Sequence, residues 1–101
     1  MAIDLTSATQ SPKFHTFTGS TALTEIILPP WARYFSVYCK SKNVFVCNEG
    51  ATDGGTPPTH KSECPKNNSL QLRIGVGSEM VSSMFVSTLD GTAEITVTIE
   101  E

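Results

Sequence analysis

The sequence has little charge, a small apolar share and no long apolar run. Charged side chains make up 17% of the 101 residues and hydrophobic ones 39%, against about 25% and about 45–50% in typical globular chains. Seven Lys and Arg against ten Asp and Glu leave a net charge of −3. That balance argues against a non-specific nucleic-acid binder, which needs a cationic surface. No stretch approaches the roughly 18 apolar residues of a membrane helix. Met1–Gln10 has neither the charged nor the apolar region of a leader. No nucleic-acid or membrane partner is therefore expected. The length suits one domain with one core, not a large multi-domain enzyme.

Cysteine is scarce and odd in number: Cys39, Cys47 and Cys64. There is no CxxC pair, so the common zinc ribbon and finger spacings fail. Cys47, Cys64 and His60 leave a loosely spaced metal set as the sharper alternative. The preferred reading is small buried hydrophobes with free thiols, a disulfide entering only outside a reducing cytosol. Catalytic signatures are missing too. His15 and His60 lie in different segments, and no G-x-S-x-G, HExxH or P-loop is present. Cys64 with His60 would need an electropositive setting and an oriented base, and Pro65 follows directly. Glu49 and Asp53 lack EF-hand spacing. The expectation is no enzyme, no metal and no cofactor.

Ser and Thr fill the gap, at 11 and 13 residues. The dominant period is two. Phe35, Val37 and Cys39 share one face, as do Leu70, Leu72 and Ile74. Ala93, Ile95, Val97 and Ile99 oppose Thr92, Glu94, Thr96 and Thr98, the pattern of a half-buried antiparallel strand. Lys13–Thr18, Thr24–Leu28, Val44–Cys47 and Ser83–Thr88 are further strand candidates. Turn chemistry separates them at Thr18-Gly19-Ser20, Ser41-Lys42-Asn43 and Pro65-Lys66-Asn67-Asn68. Asp90-Gly91 reads as a tight hairpin, and Pro29-Pro30 stops a strand. The fold class expected is all-β, an antiparallel β-sandwich of about seven to eight short strands, with a jelly roll as one form of it.

Residues 1–12 read as an extended N-terminal arm with Ile3 and Leu5 as its apolar anchors. Residues 13–101 read as a single sandwich domain with a long loop at 48–69, which has room for a short strand around Thr59–Glu63. Trp31, Tyr34 and Tyr38 lie close in sequence. Tyr34, Ser36 and Tyr38 share the face opposite Phe35 and Val37. Such a strip suits a protein interface, and alternatively the stacking of a sugar ring. Trp31 reads as a plug at the end of the sandwich. The interface candidates are Ile3, Leu5, Trp31, Tyr34 and Tyr38. Six of the seven basic residues fall within 33–73, while Asp90, Glu94, Glu100 and Glu101 cluster late, a split that suits contacts between oppositely charged faces.

A polar arm leads into Phe14-His15-Thr16-Phe17-Thr18-Gly19. It is followed by Ile26-Ile27-Leu28-Pro29, Ala32-Arg33-Tyr34-Phe35-Ser36-Val37 and a Gly-Gly-Thr-Pro-Pro loop. The chain closes on Met84-Phe85-Val86-Ser87 and Gly91-Thr92-Ala93-Glu94-Ile95-Thr96-Val97. This pattern resembles small bacteriophage virion structural proteins, capsid decoration or cement proteins above all, and related head-fibre or tail modules. The resemblance spans most of residues 13–101 and carries no catalytic residue. It implies a virion protein assembled in the host cytoplasm, binding the major capsid protein and itself as a homotrimer. The rival is a carbohydrate-binding module that contacts a glycan through Trp31, Tyr34 and Tyr38.

Overall fold

The computed structural model describes residues 2–48, 62–76, 79–80 and 82–101. None of them is helical. Thr, Val, Ile and aromatic residues at period two form extended segments, because branched and ring side chains pack well on a pleated surface. The strands are β1 (Ala2–Asp4), β2 (Lys13–Gly19), β3 (Thr24–Ile27), β4 (Tyr34–Cys39), β5 (Val44–Cys47), β6 (Ser62–Cys64), β7 (Asn68–Arg73), β8 (Gly75–Val76), β9 (Glu79–Met80), β10 (Ser83–Thr88) and β11 (Ala93–Glu100).

They make a five-stranded sheet, β1-β3-β10-β5-β6, a four-stranded sheet, β2-β11-β4-β7, and a separate β8-β9 pair. Every pairing is antiparallel except β1 with β3. The longest ladder runs from Lys13 opposite Ile99 to Gly19 opposite Ala93. The two inner faces meet in one core. Phe35, Val37, Ile26, Val44, Val46, Val86, Ile95, Val97 and Ile99 are all essentially inaccessible to solvent. Each such side chain stabilises the fold by about 1.5–3 kcal/mol relative to exposure. The alternations expected for β4 and β11 hold residue by residue. Leu70 and Leu72 pack half-buried against the core and Ile74 is buried. The expected all-β sandwich is present.

The chain passes from one sheet to the other at nearly every connection. Among the described strands of the sandwich, only β5 and β6 are consecutive and paired in one sheet. Set aside β1 and the β8-β9 pair, and number the remaining eight strands in chain order. One sheet then reads 1-8-3-6 and the other 2-7-4-5.

That order corrects the expected hairpin at Asp90-Gly91. Gly91 has the positive φ, 66°, that the sequence suggests. However, β10 and β11 lie in different sheets, and the turn is an arch between them. Its ends are held by other loops: Thr88 N–H donates to Ser20 O (2.8 Å) and Leu89 N–H to Asn43 O (3.0 Å). The Thr88 hydroxyl caps Gly91 O at 2.7 Å. Turn chemistry fixes the bend, whereas the choice of partner strand is set by the core.

The loop expected over 48–69 is shorter than that. Ser62–Cys64 is strand β6 and Asn68 already begins β7. Residues 49–61, with His60, Glu49, Asp53 and the Gly-Gly-Thr-Pro-Pro segment, lie outside the described residues.

The extended arm is also corrected. Ala2–Asp4 pairs in parallel with Glu25–Ile27 of its own chain. Leu5 N–H donates to Ile27 O (2.9 Å), and the Leu5 side chain is 5% exposed within the core. Two apolar residues are enough to bring the segment down, because the edge of β3 offers unpaired backbone groups.

Candidate interface surfaces

The five interface candidates separate into two groups. Ile3, Leu5 and Trp31 belong to the fold's own interior seam. Ile3 packs half-buried against the core and Leu5 lies within it. Trp31 is half-buried on the same core, and its indole Nε1–H donates to Ala8 O at 2.8 Å. Pro29-Pro30 ends β3 and aims this ring at the N-terminal segment. The ring packs against the core beside the N-terminal segment. Within the chain, these three residues pack the N-terminal segment against the core.

Tyr34 and Tyr38 lie elsewhere, on the outer face of the four-stranded sheet. Strand β4 is interior to that sheet, between β11 and β7. Register extends the face from the tyrosines outward. Thr96 and Ser69 flank Tyr38, Thr98 and Gln71 flank Ser36, and Glu100 and Arg73 flank Tyr34. On the far side of β11, Thr16 stands opposite Thr96 and Phe14 opposite Thr98. The surface is rich in hydroxyls and knit laterally. The Thr16 and Thr96 hydroxyls share a hydrogen bond (3.0 Å), and Gln71 Nε2–H donates to Glu100 Oε1 (3.2 Å). The Tyr38 hydroxyl donates to Asn67 Oδ1 (3.2 Å). Asn67 has a φ of 63°, a conformation that asparagine tolerates better than most residues. It thereby ends the β6–β7 arch beside the tyrosine.

Phe14 is the residue the aromatic reading omits. It is 63% exposed, more than Tyr38 at 39%. It adds a large apolar side chain to the outer face that carries Tyr34 and Tyr38. Its signal is present in the sequence. Phe14, Thr16 and Thr18 alternate against His15 and Phe17, and the polar partners of Phe14 show that its face is the outer one.

None of the three cysteines is in a disulfide, and their placement bears on the alternatives. Cys64 stands directly opposite Val44, so Cys47 is three residues further along β5. That is about 10 Å of strand, beyond the roughly 7 Å between Cα atoms that a disulfide spans. Alternation also puts Cys64 on the inner face with Val44 and Cys47 on the outer face with Phe45. Cys47 and Cys64 thus cannot bracket the loop as a disulfide. Facing opposite ways, they do not converge on a shared metal either. His60, the third member of that set, lies outside the described residues. No group of metal-ligating side chains occurs among the described residues. The Cys64 thiol donates to Asn68 O (3.2 Å). Burial, with the nearby Cys39 thiol adding to it, pushes its pKa up.

No family model matches this chain, and no curated protein or solved structure matches it significantly.

Proposed function

We propose that the protein is a jelly-roll virion structural protein of a bacteriophage, a capsid decoration or cement protein without enzymatic activity. The observation that supports this reading is the strand order, 1-8-3-6 against 2-7-4-5. It is the order obtained when a long antiparallel ladder is wrapped across two four-stranded sheets, an arrangement that recurs in viral capsid and lectin domains. The outer face with Phe14, Tyr34 and Tyr38 is the surface offered to the major capsid protein. Each copy adds buried area only on the assembled shell, so binding stabilises the shell by linkage. A closed homotrimer suits a small domain that gains stability by association.

Co-sedimentation with expanded capsids tests the reading. Wild-type protein should pellet with the shell and raise its unfolding temperature. A Phe14→Ser, Tyr38→Ala variant with an unchanged fold should stay in the supernatant. Failure of the wild type to pellet would end the capsid reading, and a stable monomer both free and on capsids would end the trimer.

The second reading, a carbohydrate-binding module, is favoured by one observation: Tyr34 and Tyr38 point outward with only Ser36 between them. Glycan-array binding lost in Tyr34→Ala, Tyr38→Ala would select it.

A further inference from the structure

A cleft of about 450 Å³ opens at the β2 end of the sandwich. The five-stranded sheet carries β1 outside β3, whereas the four-stranded sheet ends at β2. The segment from β1 to β2 bridges these two edges, and the cleft lies between that bridge and the inward side of β2. Its polar lining is Asp4, Ser7, Thr9, Gln10, Lys13 and His15, with Leu5 as an apolar contact. This wall is distinct from the outer face that carries the tyrosines: Lys13 and His15 alternate against Phe14 and Thr16.

The lining offers solvent-facing hydrogen-bonding groups that are not committed to partners within the chain. Among the described residues, the side chains of Ser7, Thr9, Gln10, Lys13 and His15 make no hydrogen bond or ion pair. Asp4 takes both Thr6 hydrogen bonds on Oδ1, from the hydroxyl (2.6 Å) and the amide (2.9 Å), which leaves Oδ2 available. The His15 ring is stacked on Phe17, with centroids 6.3 Å apart and planes 26° from parallel. Phe17 is its ring neighbour along β2, and the imidazole lies beside the cleft.

We propose that this cleft binds a saccharide unit, with Asp4, Gln10 and Lys13 on its hydroxyls and the His15 ring against its C–H face. The donor and acceptor inventory selects this class. Carboxylate only accepts, ammonium only donates, and amide and hydroxyls do both. A ligand that satisfies all of them must donate and accept around its rim, as sugar hydroxyls do. One carboxylate and one ammonium cancel, so the lining has no net formal charge to favour an anion or a cation. The volume lies within the range of about 300–1,000 Å³ usual for small-ligand sites. The inference does not rest on capsid attachment, and it places the sugar away from Tyr34 and Tyr38.

The test is a two-dimensional amide NMR titration of the full chain. The probes are the methyl glycosides of glucose, galactose, mannose, rhamnose and N-acetylglucosamine, with sodium glutamate as the charged comparison. At least one glycoside should give saturable shifts centred on Leu5, Gln10 and His15. Gln10→Ala, an exposed change that leaves the fold intact, and His15→Ala should each weaken binding by about tenfold, the scale of one lost hydrogen bond or ring contact. Tyr34→Ala, Tyr38→Ala should leave it unchanged. The proposal is overturned if no glycoside shifts these amides, if glutamate does so instead, or if the shifts centre on Tyr34 and Tyr38. It is equally overturned if binding survives both cleft substitutions at full strength.

Discussion

The indole of Trp31 and the carbonyl of Ala8 are 2.8 Å apart, joining residues 23 positions apart in sequence and closing the N-terminal segment over the core. Trp31→Phe keeps an aromatic ring, smaller than the indole, and removes the donor. The expected cost is at least about 1 kcal/mol, because the part-buried carbonyl loses its partner and the smaller ring packs less fully. For a domain of this size that is a fall of about 4–8 °C in melting temperature. Amide exchange should accelerate at residues 5–8 before it does in β11. Unchanged exchange there would show that the bond contributes nothing to holding the segment.

Leu5 gives a second test of the same seam. Its side chain is buried with Ile26, Leu28 and Met84 in one cluster. Leu5→Ala should cost about 2–5 kcal/mol in denaturant unfolding, the transfer term plus the residual cavity. Deleting residues 2–8 should destabilise the fold at least as much. A truncated protein as stable as the full chain would restore the free arm expected from the sequence.

These residues show where the sequence is legible. Period two is a local property, so the buried faces of β4 and β11 can be read from Phe35, Val37, Ile95 and Val97. Partner choice is not local. Asp90-Gly91 marks a bend equally well in a hairpin or in an arch between sheets, and only the shared core decides. The N-terminal segment is misread for a related reason. Ile3 and Leu5 are too few to signal a strand, yet the open edge of β3 gives them a place. At the candidate surface, Tyr34 and Tyr38 are legible from alternation. Phe14 is missed because its neighbours His15 and Phe17 make β2 read as apolar on both faces. The cleft is invisible in sequence, since it exists only where the two sheet edges fail to match.

Ser87 is 0% exposed and its hydroxyl has no hydrogen-bond partner. It stands opposite Phe45 in the five-stranded sheet. A buried polar atom without a partner carries its desolvation cost uncompensated. Ser87→Ala removes that atom with almost no change of shape. Stability should rise by about 1 kcal/mol in urea or guanidinium unfolding, with the slope against denaturant unchanged. A loss of stability would mean that the hydroxyl is satisfied in solution.

The Cys64 thiol carries the pH dependence. Burial first, and the neighbouring Cys39 second, raise its pKa above the ordinary value of 9.0. Below that value both the folded and the unfolded chain hold the proton, and the fold keeps the full contribution. Above it the unfolded chain releases the proton while the folded chain retains it. Stability therefore falls as pH climbs from about 9 until the folded thiol ionises too. The comparison is made between variants so that it isolates this one group. Cys64→Ala should lose some stability at neutral pH, because the buried site is left partly empty, and should show a shallower decline at alkaline pH. Unfolding midpoints measured from pH 7 to 10.5 in steps of about half a unit resolve the difference. Equal slopes in wild type and Cys64→Ala would remove Cys64 as the titrating group. The same samples, denatured without reductant, should show three reactive thiols per chain, whereas one would mean that two of the cysteines are cross-linked.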